Sequence, residues 1–359
     1  MRAAEPALSH ARAKTCASDV RRNGTRSTLS AEQYVEGIVR GDRSLLSRAI
    51  TLVESSRAVD MELADAIVEG CLPHGGRAPR VGITGVPGAG KSTLIEALGQ
   101  YCIGEYGESV AVLAIDPTSQ VTGGSILGDR TRMVSLAACE KAFIRPSPSR
   151  GSFGGVARHT REAMLLCEAA GFQNVLIETA GVGQAETAVH GMVDFFVLVM
   201  LSGAGDELQG MKRGVMELAD LIAVNKADGE NVNAAERARV DAERALHLFP
   251  GADPGWTACA VACSALTGRG IPELWNKVRE YAEAAKASGW LERKRREQRR
   301  KWLRESLELG LAEMFRAHPV VAEQLVAYER EVLDGRATPF HAARALLEMY
   351  AGAGRAPKP

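Results

Sequence analysis

The chain has 359 residues, 46% apolar and 25% charged, the balance of a globular protein of about two domains. Its 44 basic and 44 acidic residues cancel to a net charge of 0, so bulk charge gives no reason to expect a nucleic-acid partner. The longest apolar run, Val193 to Leu201, is interrupted by Asp194 and falls far short of the roughly 20 residues of a membrane span. Seven scattered cysteines do not suggest a disulfide framework and fit a reducing, cytoplasmic setting.

Residues 1–30 are rich in Ala, Ser and Arg and carry no apolar periodicity. A disordered tail accounts for them better than a targeting segment. Helical spacing begins at Ser30, where Gln33 completes a capping-box pattern. Leu45, Leu46, Ala49, Ile50 and Val53 then share a helix face, and Leu63, Ile67 and Val68 mark a further helix over Asp60 to Leu72. Residues 31–75 therefore read as an N-terminal helical extension, closed by the breakers of Pro73 to Pro79. Short apolar runs follow at Val81–Ile83, Val110–Ile115, Val175–Ile177, Phe195–Leu201, Leu221–Val224 and Val261–Ala262, most of them separated by helical segments. That alternation predicts an α/β fold over 76–285, a mainly parallel sheet flanked by helices. From Trp275 the chain turns long-helical, so 286–359 is expected to form a C-terminal helical arm.

The strongest local signal is Gly85-Val86-Pro87-Gly88-Ala89-Gly90-Lys91-Ser92, a full G-x-x-x-x-G-K-S/T phosphate loop between a strand and a helix that continues through Thr93. Its glycines let backbone amides converge on phosphate oxygens, and the following helix presents its positive end. Lys91 offers a mobile charge to the β- and γ-phosphates, and the Ser92 hydroxyl suits Mg²⁺. Asn225-Lys226-Ala227-Asp228 follows an apolar run, so it belongs at the carboxyl end of a strand, where open α/β sheets bind ligands. The Asp228 carboxylate can accept guanine N1–H and the 2-amino group together, donors that adenine lacks. Further on, Ser264-Ala265-Leu266 again follows an apolar run and could offer a backbone amide to guanine O6. The expected ligands are GTP and GDP rather than ATP. Glu178-Thr179-Ala180-Gly181 reads as a strand end, with the carboxylate near Mg²⁺ and the Gly181 amide near the γ-phosphate. Asp116 and Asp129 are further candidates for the metal, with helix capping as the plain alternative. No glutamine directly follows Gly181 to hold an attacking water, so slow intrinsic hydrolysis is expected.

These segments together carry a resemblance. Gly85–Thr93, Asp116–Ser119, Gly123–Met133, Phe143–Pro148, Glu178–Glu186 and Gly203–Gly210 resemble the MeaB/ArgK/MMAA family of P-loop GTPases. The resemblance implies a GTP-hydrolysing chaperone that gates adenosylcobalamin loading and protects or reactivates a cobalamin-dependent acyl-CoA mutase. Methylmalonyl-CoA mutase is the first candidate, with isobutyryl-CoA and ethylmalonyl-CoA mutases as alternatives. It also implies a homodimer made by the C-terminal arm, and Asp116, Asp129 and Glu178 as the Mg²⁺ and hydrolysis carboxylates. A partner switch is implied over Leu201 to Lys212, with Asp206, Glu207, Gln209, Lys212 and Arg213 as its polar residues. Ala180 and Ala185 depart from the family's usual Val and Ser, and Gln120-Val121-Thr122 departs after Asp116–Ser119. These changes bear on switch movement and on which mutase is served, not on the phosphate chemistry. A P-loop kinase of the ArgK type, phosphorylating a protein partner, is the competing reading.

Two other features have bland explanations. Cys259 and Cys263 alternate along a probable strand and are expected in its apolar packing rather than on a metal. Arg293 to Arg296 with Arg299, Arg300 and Lys301 forms a basic cluster, expected to be a solvated helix surface rather than a nucleic-acid site, since no aromatic platform accompanies it. Leu303, Leu307, Leu311 and Met314 continue that helix with spacing that suits a dimer seam or packing within the chain.

Overall fold

The computed structural model describes residues 29–55, 57–116, 133–148, 153–179, 185–202, 213–249 and 255–353. Helix α1 (Ala31–Val39) starts with the capping box expected at Ser30: the Gln33 amide donates to Ser30 Oγ, and Gln33 Oε1 accepts from the Ser30 amide at 2.9 Å. Asp42 caps α2 (Arg43–Val53) by accepting from the Ser44 and Leu45 amides. Helix α3 (Ala58–Cys71) completes the extension.

Among the described residues seven parallel strands follow. They are β1 (Arg80–Gly85), β2 (Val110–Asp116), β3 (Ala142–Pro148), β4 (Asn174–Thr179), β5 (Phe195–Leu201), β6 (Leu221–Asn225) and β7 (Cys259–Ala262), in the order β3-β2-β4-β1-β5-β6-β7. The intervening helices are α4 (Lys91–Tyr106), α5 (Val134–Ala137), α6 (Phe153–Ala169), α7 (Ala185–His190), α8 (Arg213–Met216), α9 (Val232–Leu246) and α10 (Ile271–Ala287). β1 and β4 are buried along their whole length, as strands covered on both faces must be. One face packs Leu113, Ile115, Val175 and Ile177 against Ile38, Leu46, Ile50 and Ile67 of the N-terminal helices and Met164 of α6. The other packs Val81, Ile83, Val112 and Val197 against Leu94 and Leu98 of α4 and Trp275 and Tyr281 of α10. The N-terminal helices thus share a core with the sheet.

β3 is the strand that the apolar runs did not reveal. Its Pro146 and Pro148 lie two residues apart and remove amide donors on one side only, which an edge position tolerates. Helix α2 covers that edge: Arg43 Nη1 donates to Ala142 O at 2.9 Å, and Arg145 pairs with Glu54.

The C-terminal helices are α11 (Trp290–Ala317), α12 (Pro319–Leu333) and α13 (Pro339–Ala353). The first half of α11 corrects the expectation of a solvated basic surface. Arg295 is 4% exposed, and its guanidinium binds both carboxylate oxygens of Asp194 and the carbonyls of Gly76 and Ala78. Lys294, Gln298 and Trp302 recur every four residues, so they lie on one helix face. They donate to Asp194 O at 2.7 Å, Val193 O at 2.8 Å and Gly191 O at 3.1 Å, fastening α11 to the turn between α7 and β5. Arg299 and Arg300 are exposed and pair with Glu292 and Glu297, so for them the expectation holds. Among the described residues no helix is long and apolar enough to cross a membrane.

Candidate functional site

The phosphate loop leaves the carboxyl end of β1, at the middle of the sheet. A Cβ at Gly85 (φ 147°) would lie 2.2 Å from Val199 O, so only glycine lets β1 run this close to β5. Gly88 and Gly90 have φ of 82° and 87°, and a Cβ at Gly90 would lie 2.7 Å from Asn225 Nδ2. Pro87 and Ala89 lie within this turn, which the Ala89 amide closes onto Val86 O at 3.2 Å. Helix α4 starts at Lys91 with no side chain capping its first amides, which leaves its positive end facing the loop. Lys91 Nζ folds over the loop and donates to Gly85 O at 2.8 Å and Val86 O at 3.2 Å. Ser92 is buried and Thr93 is exposed in the same turn.

Strand β4 lies beside β1, with Glu178 in register with Ile83. That adjacency brings two distant residues together: Ser92 Oγ donates to Glu178 Oε1 at 2.8 Å, and both are buried. One residue further along each strand, Thr179 Oγ1 donates to Thr84 Oγ1 at 2.7 Å. A hydroxyl and a carboxylate beside a phosphate cradle are the hard oxygen donors that Mg²⁺ prefers, so the residues present fit that ion. Asp116 ends β2, which pairs with β4 on its other side. Its backbone therefore reaches the same edge, while its side chain is outside the described residues, as are Asp129 and Gly181.

The Asn225–Asp228 turn leaves the carboxyl end of β6. Asn225 joins three segments: its Nδ2 donates to Ala89 O at 2.8 Å and its Oδ1 accepts from the Ala265 amide at 3.1 Å. The phosphate loop, the Asn225 turn and the Ser264 turn are thereby held as one unit. Ser264 Oγ donates to the Asp228 carboxylate and accepts from the Thr267 amide at 3.1 Å. The Ser264 amide donates to Arg269 O at 2.8 Å, and the Leu266 side chain is 82% exposed. Lys226 has a φ of 61°, the single positive value at a non-glycine among the described residues. Such a conformation costs about 1–3 kcal/mol and persists only where surrounding contacts impose it. The Lys226 carbonyl accepts from Asn231 Nδ2 at 2.6 Å, a contact that sequence reasoning did not single out. An asparagine at a helix start reads as a cap, and no motif marks this one otherwise.

The polar residues assigned to a partner switch, Asp206, Glu207, Gln209 and Lys212, lie outside the described residues, as does the side chain of Arg213 at the start of α8. Cys263 is buried and Cys259 half-buried in the core between α4, α10 and the sheet. Burial pushes their thiols up to about 12 and about 11, as expected for apolar packing.

The chain is similar to several known proteins. The sequence model of the family described as "Methylmalonyl Co-A mutase-associated GTPase MeaB" matches residues 46–319. A putative GTPase of Caulobacter vibrioides is 49% identical over 90% of this chain and 98% of its own length. The GTPase ArgK of Escherichia coli is 48% identical over 77% of this chain and 83% of its own. The mouse "Methylmalonic aciduria type A homolog, mitochondrial" is 42% identical over 89% of this chain and 79% of its own. A crystal structure described as that of a "LAO/AO transport system kinase" is 37% identical, covers 89% of this chain and 97% of its own, and superposes with a TM-score of 0.70. With its model matched over most of the length, the chain belongs to the MeaB family of P-loop GTPases, which hydrolyse GTP to GDP and phosphate.

Proposed function

We propose that this GTPase is a G-protein chaperone of an adenosylcobalamin-dependent acyl-CoA mutase, with methylmalonyl-CoA mutase the first candidate. GTP binding and hydrolysis would gate cofactor loading and protect or reactivate the mutase. The observation that carries this reading is the match of residues 46–319 to a family described by its association with that mutase. The 42% identity to the mouse methylmalonic aciduria homolog supports it.

The chain's own residues account for the chemistry. The uncapped start of α4 and the amides of Gly85 to Thr93 hold the phosphates. Lys91 moves from the loop carbonyls to the β- and γ-phosphate oxygens, a short swing for a flexible ammonium. Ser92 and Glu178, with Asp116 and Asp129, would hold Mg²⁺, which when bound neutralises charge on the β- and γ-oxygens. The Gly181 amide would meet the γ-phosphate. Asp228 reads guanine by accepting from N1–H and the 2-amino group, with an amide of the Ser264–Leu266 turn on O6. Lys226 flanks the base. Hydrolysis is slow until a partner or self-association supplies what the stretch after Gly181 lacks. The setting is cytoplasmic, the arm pairs two copies, and the switch residues Asp206 to Arg213 report the nucleotide to the mutase.

A second reading has one observation behind it: the similar solved structure is described as a transport system kinase. Both readings meet in one test. Affinity capture from cells with the protein held in GDP or a non-hydrolysable GTP analogue should recover an acyl-CoA mutase in a nucleotide-dependent amount. Purified protein given GTP alone should release phosphate. Phosphate transfer that requires a protein acceptor, with no mutase recovered, would favour the kinase.

A further inference from the structure

We infer that Asn231 and Ser202 are positioning residues for guanine recognition: together they set the backbone of the Lys226–Asp228 turn from which the base is read. The inference rests on the reading of Asp228 as the guanine-accepting carboxylate.

Asn231 stands at the N-cap position of α9, where an asparagine side chain ordinarily accepts from the second or third amide of the helix. Here it makes no such bond. Its Nδ2 instead turns back and donates to Lys226 O at 2.6 Å, while its backbone amide donates to Asp228 O at 3.0 Å. One residue thus holds the carbonyls on both sides of Ala227. Its side-chain oxygen is occupied as well, accepting from Ser202 Oγ at 2.6 Å. The orientation of the amide follows from chemistry: a carbonyl only accepts, so the group facing Lys226 O must be the NH₂, and the oxygen is left for the serine hydroxyl.

Lys226 is the residue that needs this hold. With a φ of 61° it sits in a backbone region that a lysine does not choose. In that conformation its carbonyl meets the start of α9, where Asn231 Nδ2 donates to it. Released from Asn231, the turn would gain by relaxing to a negative φ, and the peptide that follows would rotate. Asp228 lies two residues on, so its carboxylate would leave the line on which it meets two donors of one base edge. Ser202 supplies the fixed point. It directly follows Leu201, the last residue of β5, which pairs in register with Asn225 at the end of β6. The link therefore runs from the end of one central strand to the turn at the end of its neighbour. Ala227 needs no such help, because its amide already donates to Cys263 O at 2.9 Å.

Asn231→Ala removes both side-chain bonds. Asn231→Asp keeps an acceptor for Ser202 but sets a second acceptor against Lys226 O. Ser202→Ala leaves the bond to Lys226 O and removes only its anchor. Competition titrations with GDP, IDP and ADP on each full-length variant separate the roles. ADP uses the phosphate loop without the base readout, and IDP lacks the 2-amino group. The preference for GDP over ADP should fall about tenfold in Asn231→Ala, the worth of one good hydrogen bond. It should fall at least as far in Asn231→Asp and a few-fold in Ser202→Ala. ADP affinity should hold, and the advantage of GDP over IDP should shrink in the same order. Equal losses for GDP and ADP would mean that Asn231 supports only the fold, and unchanged ratios in all three variants would mean that the turn sets itself. Either result overturns the inference while leaving Asp228 its role. If the unmodified protein shows no preference for GDP over ADP, the guanine reading itself fails and takes the inference with it. Should Asn231→Ala not fold, Ser202→Ala carries the test, since Ser202 is half-buried and the loss of one hydroxyl opens no large cavity.

Discussion

Ser92 and Glu178 lie 86 residues apart in the chain and 2.8 Å apart at the site. The parallel pairing of β1 with β4 is what makes them neighbours. Removing the carboxylate leaves the phosphate loop intact but takes one oxygen from the proposed Mg²⁺ environment. Glu178→Ala should therefore bind GDP within a few-fold of the parent and release phosphate about 10- to 100-fold more slowly at saturating GTP and Mg²⁺. Stopped-flow phosphate detection measures it, and an unchanged turnover would remove Glu178 from the reaction. The phosphate loop is legible in the sequence because its parts are contiguous: glycines, lysine and serine follow one another in a single short stretch. The same holds for Asn225 to Asp228. The work of Asn225 is not legible there, because its partners Ala89 and Ala265 come from two other turns. Asn231 is hidden for a different reason, since its position has a commoner use as a helix cap.

Helix α11 shows how composition misleads at the scale of an element. Its first turns read as a run of basic residues for water, yet Arg295 and Asp194, 101 residues apart, form a buried pair with side chains 5% and 4% exposed. Nothing local to Arg295 distinguishes it from Arg299, which is 56% exposed and pairs with Glu292. The energetic difference is large. Arg295→Ala leaves Asp194 charged and buried and should destabilise the protein by about 3–5 kcal/mol. Arg299→Ala should change stability by less than about 1 kcal/mol. Chemical denaturation of the two variants checks both values, and equal effects would mean that α11 is not anchored through Arg295. The remaining strands and the N-terminal helices are legible from apolar periodicity. β3 is not, because Pro146 and Pro148 argue against a strand unless it is known to lie at a sheet edge.

At the scale of the whole molecule, the sheet and its helices are tied to the arm through the turn between α7 and β5. Around and beyond Glu305, which pairs with Arg161, α11 carries an apolar stripe that starts at Leu303. Leu303, Leu307, Leu311 and Met314 are 62%, 57%, 61% and 62% exposed. Individually such residues are ordinary, but at helical spacing they form the continuous face that the proposed pairing of two copies would cover. Replacing Leu307 and Leu311 with Glu should turn a dimer into a monomer in sedimentation analysis while the circular dichroism spectrum stays that of a folded protein, because neither side chain is in the core of the single chain. A parent protein that sediments as a monomer would contradict that pairing. The proposed site holds a guanine nucleotide gripped around Lys91 and read by Asp228. Its most direct test is phosphate release from GTP and from XTP by the parent protein and by Asp228→Asn. The parent should use GTP and ignore XTP, whose 2-oxygen cannot donate to a carboxylate, and the variant should reverse that choice because its amide can donate to the oxygen. Identical nucleotide preference in the two proteins would contradict the assignment of Asp228 and with it the proposed site.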